Sequence, residues 1–302
     1  MNNFDTELKE RTAYVEKIVY DYCPKEEGLQ KIIIEAMNYS LKAGGKRLRP
    51  ILTMEACKVV GGNVEDAIPF AKAYPFMAAM EMIHTYSLVH DDLPAMDNDM
   101  YRRGKKTTHA VYGEDMGILA GDGLLNMAYE TMSMAILKSK YPQRAALAMN
   151  ILAYKAGIYG MIGGQTVDVI NENKEKDIDT INFIHKLKTA ALIEGAMMVG
   201  AILAGVDEQA VETVEEIATN VGIAFQIQDD ILDVTGTLEE LGKPVLSDEK
   251  NNKTTYVTLK GIDESKRLVE DYSEKAVNLL ESLGGDSEFL KNLIIKLINR
   301  VK

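Results

Sequence analysis

The chain has 302 residues and a formal net charge of −12, with 46 Asp and Glu against 34 Lys and Arg. This balance argues against a general nucleic-acid binder or a protein that coats an anionic membrane, because both depend on a basic surface. Any affinity for phosphate must therefore be local. The two cysteines, Cys23 and Cys57, predict neither a disulfide framework nor a zinc site and favour a reducing, cytoplasmic setting.

We expect neither a secretory signal nor a membrane span. The charged start of the chain lacks the apolar region of a signal peptide. The longest apolar run, 190–206, contains Glu194 and is shorter than the roughly 20 residues that a span requires. We interpret this run as a buried core helix.

Helical periodicity dominates the sequence. Residues 28–42 and 75–90 are rich in Ala, Leu, Met, Glu and Lys, with apolar residues three or four positions apart, which predicts helices. Proline is absent from 143–243, so several long helices can follow. Small residues recur within 195–205, which allows helix backbones to approach closely.

The remaining stretches indicate how these helices are connected. The polar segments 98–112, 170–178 and 235–254 are predicted as loops. Strand patterns are weak, and no linker or internal repeat interrupts the chain. We therefore predict an all-α fold, a bundle of long, mostly antiparallel helices that forms a single domain over 1–302.

Two acidic clusters each follow an apolar helical pattern. Four carboxylates fall within the nine residues 91–99, and this crowding repels itself unless a cation neutralises it. In the second cluster, Asp229 and Asp233 are four residues apart and project from one face of a helix. Either cluster alone fits a solvated helix end, whereas two together favour Mg²⁺. Calcium is disfavoured because the spacing of an EF-hand loop is absent.

The basic residues of this acidic chain gather beside glycines. One group surrounds the pair Gly44 and Gly45, the other surrounds Gly104, and their members are Lys42, Lys46, Arg47, Arg49, Arg102, Arg103, Lys105 and Lys106. Flexible backbone beside Arg and Lys can cradle a diphosphate, since Arg offers a two-pronged contact and Lys a point charge. Ordinary surface loops share this composition, which leaves that alternative open.

Taken together, these stretches resemble the polyprenyl diphosphate synthase family, the head-to-tail trans-prenyltransferases, and most of all its bacterial farnesyl diphosphate synthases. The matching blocks, in the family's order, are GGKRLRP at 44–50, HTYSLVHDDLPAMDND at 84–99 followed by RRG, GGQTVDV at 163–169, KT at 188–189 and FQIQDDILD at 225–233. The resemblance runs from about residue 30 to about 260 and implies the isoprenoid synthase fold, with a central prenyl cavity.

The resemblance assigns roles to individual residues. The implied Mg²⁺ ligands, which Mn²⁺ could also use, are Asp91 and Asp97 with support from Asp92, and Asp229 with assistance from Asp230 and Asp233. The implied contacts of the allylic diphosphate are Arg102, Lys188, Lys243 and Lys253, and those of isopentenyl diphosphate are Gly45, Lys46, Arg49, His84 and Arg103. Lys188, Thr189 and Gln226 are expected at the reacting centre, where Thr189 and Gln226 stabilise the allylic cation.

Some of these assignments have a purely structural alternative. His84 lies two helical turns before Asp91 and, without the motif, fits a core histidine. Lys188 on an apolar helix fits a side chain that extends to solvent. We expect Gln165 and Asp168 to support the site by hydrogen bonds.

The expected reaction ionises an allylic diphosphate, adds the double bond of isopentenyl diphosphate and loses a proton. Tyr86 lies five residues before Asp91, with the small Ser87 beside it, and family members with an aromatic residue there generally stop at fifteen carbons. We therefore expect farnesyl diphosphate as product, with a geranylgeranyl diphosphate synthase as the alternative. The resemblance also implies a homodimer.

Two further alternatives belong to other classes of protein. A class I terpene cyclase also ionises allylic diphosphates, but it holds no second diphosphate and has no use for the basic block at 44–50. A non-catalytic helical partner subunit is disfavoured by the intact aspartates of both motifs.

Overall fold

The computed structural model describes residues 3–61, 67–172, 174–235 and 254–298. Within these ranges the chain is almost wholly helical, which confirms the all-α prediction. The first elements in chain order are α1 (Asn3–Asp21), α2 (Lys31–Leu41), α3 (Leu48–Val59), α4 (Ala67–Asp91), the antiparallel strands β1 (Tyr101–Arg102) and β2 (Lys105–Lys106), α5 (Thr108–Tyr112) and α6 (Glu114–Lys138).

The second half of the chain continues the helical pattern. Its elements are α7 (Pro142–Ala156), α8 (Met161–Ile170), α9 (Ile178–Ile184), a π-helical segment (His185–Ala190), α10 (Ala191–Ala204), α11 (Glu208–Thr235), α12 (Tyr256–Lys260), α13 (Ile262–Ser282) and α14 (Glu288–Ile298). The residues group into two compact units, the first Met1–Met54 with Asn63–Met149 and the second Glu55–Gly62 with Asn150–Lys302. A single domain over 1–302 stays a prediction.

The predicted loops have different outcomes. Between Ile170 and Ile178 the described chain is irregular, as expected. The loop prediction for 98–112 is wrong in part, because it contains the β1–β2 hairpin and the one-turn helix α5. Helix α5 is too short to show a periodic pattern, and Gly113, with φ of +98°, ends it. Of the predicted loop 235–254, residues 236–253 lie outside the described part of the chain.

In the first unit, α4 packs along α6. All residues of α4 from Phe76 to Ile83 are buried, so the helix is surrounded on every side at this point, which explains its run of Met and Ala. A Cβ atom at Gly121 of α6 would overlap the ring of His90, so the glycine allows the end of α4 to approach α6 closely. This contact fixes the C-terminal end of α4, where the first acidic cluster begins.

In the second unit, α10 is the central helix and packs against α11. Every residue from Ala191 to Leu203 is buried, which confirms the interpretation of this run as a core helix. Glu194, in the middle of that run, is ion-paired with Lys155 of α7 and accepts a hydrogen bond of 2.8 Å from Thr219 of α11. Lys155 also lies 2.7 Å from Glu215. The buried charge is thus paired, as an apolar interior requires.

Two described stretches, Pro142–Ile170 and Ile178–Ala204, are long and apolar enough to cross a membrane by length and composition alone. The most apolar window of the second is 78% buried, as in the core helix of a globular protein, whereas that of the first is 33% buried. One or two such helices are a weak indication of a membrane protein.

Candidate active site

The first acidic cluster begins where α4 ends. The chain folds back after Asp91, whose carbonyl oxygen accepts a hydrogen bond of 2.8 Å from the amide of Asp97. Asn98, with φ of +54°, allows this turn. Asp97 and Asp99 are exposed and Asp91 is half-buried. The turn therefore brings the backbone of Asp97 next to that of Asp91 and leaves the Asp97 and Asp99 carboxylates facing solvent.

Asp92 differs from its neighbours because it is buried against an arginine. Both Nε and Nη2 of Arg102 lie 2.6 Å from Oδ1 of Asp92, and Nη2 lies 3.6 Å from Asp99. Burial raises the pKa of Asp92, and the charge of Arg102 opposes that rise. Arg102, expected at a diphosphate, is thus held by Asp92 and Asp99 of the acidic cluster.

A basic cluster of the first unit contains Gly45, Arg49, His84 and Arg103. Nη1 of Arg49 lies 3.2 Å from Nε2 of His84, and Arg103 donates to the carbonyl of Gly44. A Cβ at Gly45 would overlap the Arg103 guanidinium, so a side chain there would displace that arginine. The structure brings together four of the five residues expected at isopentenyl diphosphate. The fifth, Lys46, is next to Gly45 in sequence and has an exposed side chain.

The charges of this cluster are not neutralised within it. Burial lowers the pKa of Arg49 to about 10, with a smaller contribution from the neighbouring Arg103 and against the opposing charge of Glu81. Burial also holds the pKa of His84 well below its usual value, with added repulsion from Arg49 and Arg103. A buried positive charge without a counterion destabilises the protein, so this cluster favours the binding of an anion.

Arg47 is a correction to the sequence analysis, which counted it among the residues of the diphosphate cradle. Its side chain is fully buried and bonds to Glu81 at 2.7 Å, to Glu16 at 3.1 Å, to Tyr20 at 3.2 Å and to the carbonyl of Leu41 at 2.7 Å. Arg47 therefore anchors the segment just before α3 to α1, α2 and α4. The signal that could have shown this is Glu81, a lone carboxylate inside an apolar helix, which requires a buried cation.

The π-helical segment carries Lys188 and Thr189. Nζ of Lys188 lies 2.7 Å from Oδ2 of Asp168 on α8, so Asp168 has a specific partner that the sequence did not reveal. A Cβ at Gly164 of α8 would overlap the backbone of Lys188. Gly164 and Asp168 of the GGQTVDV block thus both lie against the π-helical segment.

The second acidic cluster lies in the last turns of α11. Asp229 is exposed, whereas Asp230 and Asp233 are buried, and Gln226 is half-buried one turn earlier. Oδ2 of Asp230 accepts a hydrogen bond of 2.9 Å from the amide of Tyr256. Lys243 and Lys253, the remaining expected contacts, lie outside the described residues.

The donor chemistry fits Mg²⁺. In the described part of the chain, no group of three or more His, Cys, Asp or Glu side chains converges as a ready metal site. Mg²⁺ does not require one, because it is usually held by one or two carboxylates, by waters and by substrate phosphates. The accessible carboxylates of Asp97 and Asp229 are hard oxygen ligands of this kind.

Tyr86 lies on α4, before the first cluster. Its side chain is 6% exposed and its ring meets that of His90 edge to face, with 5.8 Å between the centroids. Burial raises its pKa to about 12, so the phenol stays neutral. Ser87 is half-buried and donates to the carbonyl of His84 at 2.9 Å.

The lowered pKa of His84 predicts a pH-dependent stability. The unfolded chain binds a proton at this histidine below about pH 6.5, whereas the folded protein does not, so the free energy of unfolding should fall as the pH decreases. One such group contributes at most ~1.4 kcal/mol per pH unit. Urea unfolding of the wild type and of His84→Gln between about pH 7.5 and 5.5 measures the difference. Parallel pH profiles for the two proteins would contradict the lowered pKa.

Both acidic clusters lie at the ends of helices, and the basic cluster is a separate group of residues. The carboxylates of the acidic clusters can hold a divalent cation, and the basic cluster can hold a diphosphate. The family model for polyprenyl synthetase matches residues 30–283. The chain belongs to this family and is a trans-prenyl diphosphate synthase, a prenyltransferase of isoprenoid biosynthesis.

Individual relatives cover nearly the whole chain. A geranylgeranyl diphosphate synthase of Cyanophora paradoxa is 44% identical over 91% of this chain and 89% of its own. A farnesyl diphosphate synthase of Micrococcus luteus is 42% identical over 95% of this chain and 94% of its own. The crystal structure of a Helicobacter pylori geranyltransferase, complexed with magnesium and isoprenyl diphosphate, has a TM-score of 0.82 at 29% identity and covers 99% of this chain and 97% of its own.

Proposed function

We propose that this protein condenses isopentenyl diphosphate head to tail with dimethylallyl and then geranyl diphosphate, in a Mg²⁺-dependent reaction that yields farnesyl diphosphate and diphosphate. The observation that carries this proposal is the basic cluster of the first unit. Arg49 and Arg103 make their described hydrogen bonds to His84 and to a main-chain carbonyl, so their charges are available to a second diphosphate. A cyclase would have no use for such a cluster.

In the proposed reaction, the C1–O bond of the allylic substrate breaks, the double bond of isopentenyl diphosphate attacks C1, and a proton leaves. Bound Mg²⁺ would neutralise the departing diphosphate. Asp91, Asp97 and Asp229 are the proposed ligands, with Asp92, Asp230 and Asp233 in support, and Mn²⁺ is the alternative ion.

The chain's own side chains hold the substrates. Arg102, Lys188, Lys243 and Lys253 bind the allylic diphosphate, and Gly45, Lys46, Arg49, His84 and Arg103 bind isopentenyl diphosphate. Thr189 and Gln226 face the allylic cation with their oxygen atoms, which stabilise positive charge. The released diphosphate accepts the proton, so that no side chain is required as base.

The product length is proposed from Tyr86. Relatives at similar identity include both a geranylgeranyl and a farnesyl diphosphate synthase, so overall similarity does not discriminate between the two products. A buried aromatic ring braced by His90 favours the shorter, fifteen-carbon product. Mass analysis of the products formed from isopentenyl and dimethylallyl diphosphates with Mg²⁺ tests this. A twenty-carbon main product would support the alternative synthase, and diphosphate release without isopentenyl diphosphate would indicate a cyclase.

The proposed assignment of the basic cluster predicts a selective effect of Arg49→Ala. The apparent KM for isopentenyl diphosphate should rise roughly 10- to 100-fold, because a charged hydrogen bond to one substrate is lost. The KM for geranyl diphosphate should change far less. Initial rates with each substrate varied in turn measure both constants, and Arg267→Ala, which removes an exposed arginine of α13, is the control. Equal increases for both substrates would exclude the assignment.

We also propose a cytoplasmic homodimer. Helix α6 of the first unit exposes Ile118, Leu119, Met134 and Leu137, the last at 77%. Several exposed large apolar side chains on one helix are typical of a surface that a second copy covers. Sedimentation equilibrium gives the mass in solution, and a monomeric mass at micromolar concentration would exclude the dimer.

A further inference from the structure

The β1–β2 hairpin carries two adjacent arginines that contact different parts of the first unit. Arg102, the last residue of β1, is bonded to Asp92 and lies near Asp99, both of the acidic cluster. Arg103, which follows it, donates to the carbonyl of Gly44 and belongs to the basic cluster. One short hairpin thus supplies a side chain to each of the two clusters.

The turn of this hairpin needs support from other elements. Because Arg102 pairs with Lys105, the two turn residues are Arg103 and Gly104, with φ angles of +54° and +77°. This left-handed conformation suits glycine, whereas it is uncommon for a residue with a side chain. A hairpin of two strands is also only marginally stable in water. Neighbouring elements must therefore hold it in place.

The end of α2 provides this support. The hydroxyl of Tyr39 donates a hydrogen bond of 2.7 Å to the carbonyl of Lys106, the last residue of β2. Just after α2, the carbonyl of Lys42 accepts a bond of 3.3 Å from Nζ of Lys105. Tyrosine has fewer side-chain torsions than lysine, so the shorter bond of Tyr39 also costs less conformational entropy. Tyr39 is thus the better anchor of the two.

The ring of Tyr39 is itself held by α5, the helix that follows the hairpin. It meets the ring of Tyr112 edge to face, with 5.6 Å between the centroids and 71° between the planes. The next residue of α2, the buried Ser40, is bonded to Thr108 at the start of α5, with 2.7 Å between the hydroxyl oxygens. Helix α2 therefore holds both the end of β2 and the helix after it.

We infer that Tyr39 is a positioning residue, which holds the β1–β2 hairpin so that Arg102 and Arg103 reach the two diphosphates. This inference rests on the proposed function of these arginines, the first at the allylic diphosphate and the second at isopentenyl diphosphate. In this role Tyr39 binds no substrate and acts through the backbone of the hairpin. Its loss should weaken the binding of both substrates and leave the chemical step unchanged.

The first test compares Tyr39→Phe with Tyr112→Phe. Tyr39→Phe keeps the ring contact and removes only the bond to Lys106. The KM for isopentenyl diphosphate and the KM for geranyl diphosphate should each rise roughly threefold, with kcat within about twofold of the wild type. Tyr112→Phe is the matched control, since it removes the hydroxyl of the other ring and leaves the bond to Lys106 intact. It should change neither constant.

The second test asks whether Tyr39 acts through the arginines of the hairpin. In an Arg103→Ala background, Tyr39→Phe should cause no further rise in the KM for isopentenyl diphosphate, because the side chain that it positions is absent. The roughly threefold rise for geranyl diphosphate should persist, since Arg102 is still present. An Arg102→Ala background should give the reverse pattern.

Two results would overturn the inference. Wild-type values of both KM constants in Tyr39→Phe would show that the bond to Lys106 positions nothing. A rise for isopentenyl diphosphate that is equally large with and without the Arg103 side chain would show that Tyr39 acts by another route.

Failure of the proposed function would look different. The wild type is assayed first with both substrates, and absence of any condensation product refutes the proposed reaction. The dissociation constants of the two diphosphates, measured by titration calorimetry, then replace the KM values in both tests. Normal wild-type turnover with unchanged KM values in Tyr39→Phe refutes only the role of Tyr39.

Discussion

Asp229→Ala and Asp91→Ala are each expected to lower kcat by roughly 10²–10³ or more, the cost typical of losing a group that stabilises charge in the transition state. Each carboxylate is proposed to hold Mg²⁺ at the diphosphate, where negative charge grows as the C–O bond breaks. Asp229 is exposed, so its truncation creates no cavity and the fold should remain intact. Diphosphate release under saturating substrates and Mg²⁺ measures the loss.

The control for this effect is Asp263→Ala, at an exposed position in the first turn of α13. It removes the same charge from the second unit and should leave kcat within about twofold of the wild type, as surface substitutions generally do. Circular dichroism should give the same helix content for all three variants. A variant of Asp91 or Asp229 with near-normal turnover would remove that residue from the metal site.

Tyr86→Ala is expected to change the main product from fifteen carbons to twenty or more. Tyr86 lies five residues before Asp91, which places its Cα roughly 7.5 Å further along α4 from the first acidic cluster at about 1.5 Å per residue. Helical side chains also incline toward the N-terminus of the helix, which directs the phenol away from the cluster. Removing a buried ring leaves space into which a longer prenyl chain can extend.

Tyr86→Phe is the matched variant, since it keeps the ring and its contact with His90 and loses only the hydroxyl. It should retain the fifteen-carbon product. The loss of a buried aromatic side chain costs about 3–5 kcal/mol, so Tyr86→Ala is assayed at a temperature at which circular dichroism shows it folded. A wild type that already forms twenty-carbon chains, or an unchanged product of Tyr86→Ala, would place the length limit elsewhere.

The sequence predicted the fold class well because its signals are local. Periodicity located α4, and the apolar run with Glu194 located the central helix α10. The π-helical segment could not be predicted, since its residues have ordinary helical composition and its form depends on Gly164 and Gly222 from other helices. Helix α5 is a single turn, below the length at which a period can be recognised.

The candidate site shows the same division between local and distant signals. Residue types near one another in sequence indicated the basic cluster, and the structure joined Arg49 to His84, 35 residues away. The roles of Arg47 and Asp168 depend on partners 34 and 20 residues distant, which no spacing rule reveals. Asp92 and Asp229 have the same chemistry in the sequence, and only burial distinguishes a carboxylate held by arginine from one that faces solvent.

The ion pair between Glu194 and Lys155 determines the register of the central helix. Helix α10 consists largely of Ala, Gly, Met and branched apolar residues, and Glu194 is its only charged residue. A shift by one turn, about 5.4 Å, would leave the Glu194 carboxylate without its partners in an apolar interior, at a cost of about 3–5 kcal/mol. A single buried charge thus disfavours any axial position of the helix that separates Glu194 from Lys155 and Thr219.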